Sequence, residues 1–312
     1  MLTTGLPSLK LETAARWSNY TSCGRGSAPF LLAEPDSPEE LQQLLQTAIS
    51  GKIPIKILGA GTNMIGSDRD LDLLFLRLGK TGFGEIRKTG DQTLECGAAV
   101  RLSQLADTAA DLGLGGLSPL CGIPGTIGGA VRMNAGANRV EISEFLTEIC
   151  GFSLLDGSSY RWKKEEKGWA YRTSPVPEHV IVTAVRLELP EADPEQEHQR
   201  IREEKNRRAA VTPKGRSAGS TFRNPDGQIA GILLERAGCK KISCGSARVS
   251  EQHANWIITE QAASPASEHD FLMVLLQMKQ AVYRETRIEL QTELCFADAE
   301  SERLVKEKWN RN

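Results

Sequence analysis

The sequence has no long apolar run, no close pair of cysteines, only four histidines and almost no net charge, and each shortage excludes something. No stretch approaches the roughly 20 apolar residues that a membrane-crossing helix needs. The opening MLTTGLPSLKLETAARW also lacks the basic start and apolar centre of an export leader. Lysine plus arginine (38) nearly balances aspartate plus glutamate (40), so the formal charge of -2 creates no field that selects nucleic acid or an anionic membrane. The cysteines (23, 96, 121, 150, 239, 244, 295) are odd in number, scattered and free of any C-x-x-C pair. That pattern argues for reduced, mostly buried thiols rather than a disulfide framework or zinc knuckle. His179, His198, His253 and His269 lack the i, i+4 spacing of a helical metal site. The expectation is a cytoplasmic, soluble protein, monomeric by default, with no metal, no nucleic acid and no membrane insertion.

What is present is an ordinary globular share of apolar residues over 312 positions, enough for one large domain or two to three smaller ones. SPEELQQLLQTAISGK (37 to 52) reads as a capped amphipathic helix: Ser37 is the cap, Glu40 stands three residues on, and Leu41, Leu44 and Leu45 form the apolar stripe. IPIKILG (53 to 59) and DLLFLRL (72 to 78) read as short strands, which makes a β-α-β lobe over residues 1 to 80. Strand candidates TLECGAA and VIVTAVRLEL, the helix RLSQLADTAADLG and a glycine-rich centre fill a second lobe over 81 to 211. Charge and proline rise abruptly after 190, where Pro194 to Ala210 reads as a solvated helix and marks the main boundary. Residues 212 to 312 hold the helix EHDFLMVLLQMKQAVYRET, a strand-like IELQTELCF and a charged tail, enough for a smaller compact unit.

Two segments carry chemistry. The turn GAGTN (59 to 63) follows a strand, but Met64 stands where a dinucleotide fingerprint needs its third glycine. Such a turn can hold a pyrophosphate on backbone N–H groups without a helix, with Thr62, Asn63 and Ser67 adding side-chain donors; it serves equally as a tight strand-to-loop turn. GIPGTIGGAVRMNAGA (122 to 137) is more specific, with five glycines, Pro124 and Asn134 in sixteen residues. It suits a loop and helix start wrapped around a flat polar ligand, with Thr126 as a hydroxyl donor; a packed glycine loop is the plainer alternative.

The glycine segment resembles the flavin-binding signature of UDP-N-acetylenolpyruvoylglucosamine reductases, within the wider vanillyl-alcohol-oxidase type of FAD proteins. ILGAGTNMIGSD (57 to 68) resembles the family's pyrophosphate turn, YRTS (171 to 174) its arginine motif, SAGSTFRNP (217 to 225) its serine motif and ARVSEQHANWIIT (247 to 259) a segment of its substrate domain. Order and spacing agree over residues 17 to 294. The 73 positions from Ser220 to Glu293 leave no room for the extra subdomain of one branch, so the chain resembles the shorter second type. The resemblance implies an α+β fold: a two-lobed FAD-binding domain of the vanillyl-alcohol-oxidase type plus a smaller α+β substrate-binding domain. It implies FAD contacts at Gly59, Ala60, Gly61, Thr62, Asn63 and Ser67. It also implies contacts along the second segment at Gly122, Ile123, Pro124, Gly125, Thr126, Gly128, Gly129, Ala130, Asn134 and Gly136.

By the same resemblance the enzyme uses NADPH to reduce FAD and then reduces UDP-N-acetylglucosamine enolpyruvate, a step of peptidoglycan precursor synthesis on which cell shape and division depend. Hydride from flavin N5 adds at the terminal vinyl carbon, and negative charge develops at the next carbon and on the carboxylate. Ser220 donates the proton, since an enolate-like base is strong enough to take it from a positioned alcohol. Arg172 pairs with the carboxylate through its fork of donors, and Glu293 hydrogen-bonds or relays a proton on the same side. Tyr171, Lys214, Arg223 and Asn224 are the expected contacts to the rest of the substrate, its diphosphate needing cations and amide donors. The chain departs from the family at Ala60 and Arg139, often glycine there, at Asn138, usually tyrosine, at Arg223, usually lysine, at Arg287, often glycine, and at Cys295, where arginine is common. Two rival readings share the glycine segments: another FAD oxidoreductase of the superfamily, which has no need of the joint Arg172, Ser220 and Glu293 set, and a non-catalytic nucleotide-sugar-binding flavoprotein, which turnover separates.

Overall fold

A computed structural model describes residues 9–164, 168–260 and 267–307. The opening residues and the end of the charged tail, on which the leader and tail readings partly rest, lie outside the described residues. The chain divides into two compact units. Over the described residues, one takes the chain up to Glu12, Leu31–Ala60 and Asp72–Ala210; the other takes Thr13–Phe30, Gly61–Leu71 and the chain from Val211 onward. Two short segments of the range expected as the first lobe therefore fold with the C-terminal part.

In the first unit, Phe30–Glu34, Leu74–Leu76 and Ile55–Ile57 run parallel, with Leu31 and Ile55 both registered against Leu74. The strands read at 53 to 59 and 72 to 78 thus shrink to ladders of three residues each. Parallel strands need a crossover, and Pro38–Ser50 supplies it between Phe30–Glu34 and Ile55–Ile57, which flank Leu74–Leu76. Ser37 Oγ accepts from the Glu40 N–H at 3.1 Å, a cap worth about 1 kcal/mol. Glu40 reaches back to the Asp36 N–H at 2.8 Å, not to the Ser37 N–H of a regular capping box. Leu41, Leu44 and Leu45 are fully buried, each contributing roughly 1.5–3 kcal/mol of burial.

The rest of this unit is a five-stranded antiparallel sheet in the order Ser159–Lys163, Leu146–Ser153, Val180–Glu188, Thr93–Gly97, Ile86–Lys88. The helix Leu102–Asp111 buries Leu102, Leu105, Ala106 and Ala109, the i, i+3, i+4, i+7 face that its sequence spells out, in one core with Leu146, Val185 and Leu187. The helix Pro194–Val211 is less solvated than its composition suggests. Ile201 joins that core, and the buried Glu197 accepts from the Ser118 N–H at 3.3 Å while pairing with Arg200 at 3.1 Å. One carboxylate thereby anchors an otherwise charged helix.

The second unit is centred on the helix Glu268–Thr286, whose Phe271, Val274, Leu275, Met278 and Val282 lie in its core. A three-stranded antiparallel sheet, Ser243–Cys244, Ala247–Val249 and Ile257–Thr259, belongs to the same unit. Asp68 fastens the segment 61–71 to the helix start by accepting from Ser267 Oγ at 2.7 Å and from the Glu268 and His269 N–H groups at 3.1 and 3.2 Å. The strand-like IELQTELCF forms a ladder only at Cys295–Phe296, parallel to Met64–Ile65. Upstream of that ladder, Thr292 makes an isolated bridge with Phe222 and the Glu293 N–H turns to a loop carbonyl, so no single neighbouring strand runs along the segment. No helix among the described residues is long and apolar enough to cross a membrane.

Candidate active site

In the first unit the glycine segment is pinned by backbone bonds to the strand end before it. Ile127 and Gly128 N–H donate to Val100 and Ala98 carbonyls at 2.8 and 2.9 Å, and Leu102 N–H donates to Gly125 O at 3.2 Å. Gly125 has φ 151°, a conformation for which only glycine is suited. The expected helix start is Ile127–Arg132, with Thr126 Oγ1 accepting from the Gly129 N–H at 3.5 Å; as an acceptor there, the hydroxyl keeps its proton for donation. A Cβ on Gly59 would stand 3.3 Å from Thr126 Oγ1. Gly59 and the second glycine segment, far apart in sequence, thus meet, with bare backbone at Gly59 facing the Thr126 hydroxyl. That suits a flat cofactor carrying a diphosphate, as FAD does.

Arg208 is a residue that sequence reasoning missed, because it sits in a helix read only as solvated. Its side chain runs against Gly122, where an added Cβ would lie 2.5 Å from Arg208 Cδ. Burial pulls its guanidinium below the usual value, as a cation without full hydration, opposed by the Glu204 carboxylate and aided by the Arg207 and Arg172 charges. A cation held this way beside the glycine segment fits an anionic cofactor group.

Arg172 stands in a tight turn closed by paired bonds between Ala170 and Thr173, 2.8 and 3.2 Å, and has φ 55°. Its Nη2 donates to Gly136 O at 3.3 Å, and its guanidinium lies 5.0 Å from the Tyr171 ring centre. Asn134 is fully buried, and its Nδ2 donates to Ala170 O at 3.0 Å and to Glu141 at 2.6 Å. Asn134 therefore ties the arginine turn to the end of the glycine segment, and its amide is directed into the protein. Of the departures, Ala60 has a negative φ, whereas Asn138, Arg139 and Arg287 sit at φ 55°, 65° and 61°. Asn138 is met by Arg207 Nη2 at 3.1 Å.

In the second unit Gly61 has φ 68°, and a Cβ there would meet Tyr20 O at 1.8 Å. After it the chain enters the strand Met64–Ile65, so this turn has no helix behind it. Asn63 Nδ2 donates to Glu293 O at 3.0 Å, and Asn63 O accepts from the Cys295 N–H at 2.9 Å. Glu293 N–H in turn donates to Thr221 O at 2.9 Å, one residue past Ser220. Asn63, Thr221 and Glu293 are thus joined in one hydrogen-bonded cluster, with Ser220 next to Thr221 in the chain. Ser67 is fully buried and its Oγ accepts from the Arg69 N–H at 3.0 Å, so it braces its own turn. Asn224 Oδ1 accepts from the Ala230 N–H at 3.0 Å, which orients its amide. Arg223 keeps a buried Nε with no hydrogen-bond partner in the protein, and Lys214 is exposed. Asn255, unremarked in the sequence, is buried and holds Phe222 through both ends of its amide; only its place in the segment 247 to 259 signalled it.

Comparison with known proteins agrees with this arrangement. The family model described as UDP-N-acetylenolpyruvoylglucosamine reductase, C-terminal domain, matches residues 212–297, and that described as FAD binding domain matches 29–158. The UDP-N-acetylenolpyruvoylglucosamine reductase of Erythrobacter litoralis is 35% identical over 288 residues, covering 91% of this chain and 87% of that protein. The protein of the same name from Trichlorobacter lovleyi is 35% identical over 284 residues, covering 90% and 91%. Among solved structures, the UDP-N-acetylenolpyruvylglucosamine reductase of Thermus caldophilus is similar with a TM-score of 0.77 at 32% identity, covering 92% of this chain and 99% of that one. With relatives this similar over nearly their whole length, the chain belongs to the UDP-N-acetylenolpyruvoylglucosamine reductase family.

Proposed function

We propose that this chain is the cytoplasmic, FAD-dependent and NADPH-dependent reductase that converts UDP-N-acetylglucosamine enolpyruvate to UDP-N-acetylmuramate for peptidoglycan. FAD is held within residues 1–211 and the substrate domain starts at 212. The observation that carries the reading is the cluster of Asn63, Thr221 and Glu293, which sets an acid and an alcohol motif on neighbouring extended segments. Family membership supplies the substrate class.

FAD, when bound, supplies the hydride-transfer chemistry that no amino-acid side chain offers. The protein's own residues do the rest. Gly59 and the segment 122 to 136, with Thr126, hold the cofactor by close backbone approach, and Arg208 offsets its negative charge. Arg172 binds the substrate carboxylate with two guanidinium N–H groups and strengthens its hold as charge grows there. Ser220 gives its Oγ proton to the carbon next to that carboxylate, and Glu293 orients the hydroxyl or returns the proton to it. Tyr171, Lys214, Arg223 and Asn224 hold the nucleotide-sugar end, which fixes the vinyl ether in one pose.

The test is anaerobic. The visible spectrum of the purified holoenzyme is recorded, NADPH is added until the flavin band bleaches, and UDP-N-acetylglucosamine enolpyruvate follows. Return of the band with stoichiometric UDP-N-acetylmuramate is expected. A flavin that NADPH bleaches but this substrate leaves bleached contradicts the reading and favours another FAD oxidoreductase of the superfamily.

A further inference from the structure

We infer that Asn255 is a positioning residue for Ser220, acting through the two residues that follow it; the inference rests on the role given to Ser220 above. On its N-terminal side Ser220 is preceded by Gly219, with φ 83° and nothing within 4 Å of where its Cβ would be. Beyond that glycine Ala218 is buried and Ser217 O accepts from Ser22 Oγ at 2.6 Å, so the chain is fixed up to a conformationally free glycine and the residues after Ser220 supply the second anchor. There Thr221 and Phe222 are fully buried. Phe222 N–H donates to Asn255 Oδ1 at 2.9 Å and Asn255 Nδ2 donates to Phe222 O at 2.8 Å, so one side-chain amide pairs with both polar groups of a single residue. Thr221 N–H donates to Asn255 O at 2.9 Å, and Ser220 itself bridges to Trp256.

The opposite side of the same dipeptide is gripped by the Glu293 segment. Thr221 O accepts from the Glu293 N–H and from Thr292 Oγ1, both at 2.9 Å. Asn255 and Glu293 therefore clamp Thr221 and Phe222 between them, and the direction of the Ser220 side chain follows from that clamp. Asn255 is itself steadied by its neighbours: its N–H donates to His253 Nδ1 at 3.1 Å, and Ser250 N–H donates to Trp256 O at 2.8 Å. An asparagine suits the position because a planar amide with one donor and one acceptor matches the N–H and C=O of one extended residue. A leucine of similar size offers neither, and an aspartate offers only the acceptor.

Wild-type holoenzyme, Asn255→Asp and Asn255→Leu are compared in the two half-reactions, with thermal midpoint and flavin content as controls. In both variants NADPH should reduce the flavin within about twofold of wild type. Reoxidation by saturating enolpyruvyl substrate should slow by roughly ten- to hundredfold, the scale on which misplacing a reacting group acts. KM for that substrate should stay nearly constant and the solvent deuterium isotope effect on reoxidation should rise, since protonation becomes the slower event. Should Asn255→Leu not yield folded holoenzyme, Asn255→Asp decides alone. Equal slowing of both half-reactions, or reoxidation at the wild-type rate with an unchanged isotope effect, overturns the positioning role. A wild-type flavin that the enolpyruvyl substrate does not reoxidise removes the role of Ser220 and this one with it; that failure is read in wild type, before any variant.

Discussion

The N–H of Glu293 donates to the carbonyl of Thr221 at 2.9 Å, which fastens the acidic segment directly behind Ser220. This bond joins residues more than seventy positions apart, and with Asn63 bonded to the Glu293 carbonyl it ties the backbone beside Ser220 to the Glu293 segment. In the proposed role, Ser220 as proton donor to the substrate contributes to one half-reaction only. Ser220→Ala should leave NADPH reduction of the flavin near normal and slow reoxidation by the enolpyruvyl substrate by about 10²- to 10⁴-fold. Stopped-flow measurement of each half-reaction checks this, and equal slowing of both refutes the donor role.

Gly61 is a packing requirement. With φ 68° and a Cβ that would lie 1.8 Å from a main-chain oxygen, Gly61→Ala forces the backbone of Tyr20 or its own turn to move. The cost should be about 3 kcal/mol or more, read as a lowered denaturant midpoint. An alanine variant with wild-type stability shows that the turn relaxes freely.

Glu268 carries a pH signature. Burial raises its carboxyl above the ordinary 4.5, opposed by the Ser301 hydroxyl and the Asp68 N–H. The folded state then binds the proton more tightly than the unfolded chain, so stability falls as pH rises from about 4.5 through the raised folded value and is level above it. Glu268→Gln keeps an acceptor for the Asp68 N–H and removes the charge. The variant should gain on wild type across that window, and parallel stability curves would rule out the assignment.

Arg287 ends the long helix with φ 61° and its N–H donating to Tyr283 O at 2.9 Å. A side chain in that conformation costs about 1 kcal/mol that glycine does not incur. Arg287→Gly should therefore raise the denaturant midpoint without altering the dependence on denaturant, despite losing the stacking on Tyr283. A lowered midpoint means that the stacking outweighs the backbone strain.

Much of the local structure was legible because it depends on neighbours in sequence. Ser37 and the leucine stripe specify the helix Pro38–Ser50, and apolar periodicity specifies Glu268–Thr286 from end to end. The glycines of 122 to 137 announce close backbone approach, since their purpose is local and steric. The joint pattern of Arg172, Ser220 and Glu293 also stands in the sequence, as an order of motifs. Bonds whose partners lie far along the chain left no such mark. Composition could not reveal that Glu197 is buried in a charged helix, that Asn134 carries the Arg172 turn, or that Arg208 packs on Gly122. Nor could it reveal that residues 13–30 and 61–71 fold with the C-terminal unit. By itself, then, the sequence determined the helices, the glycine turns and the kind of chemistry. Only the tertiary structure decided which polar groups hold Ser220, Glu293 and Arg172 in place, because a hydrogen bond depends on distance and angle between groups that the fold alone brings together.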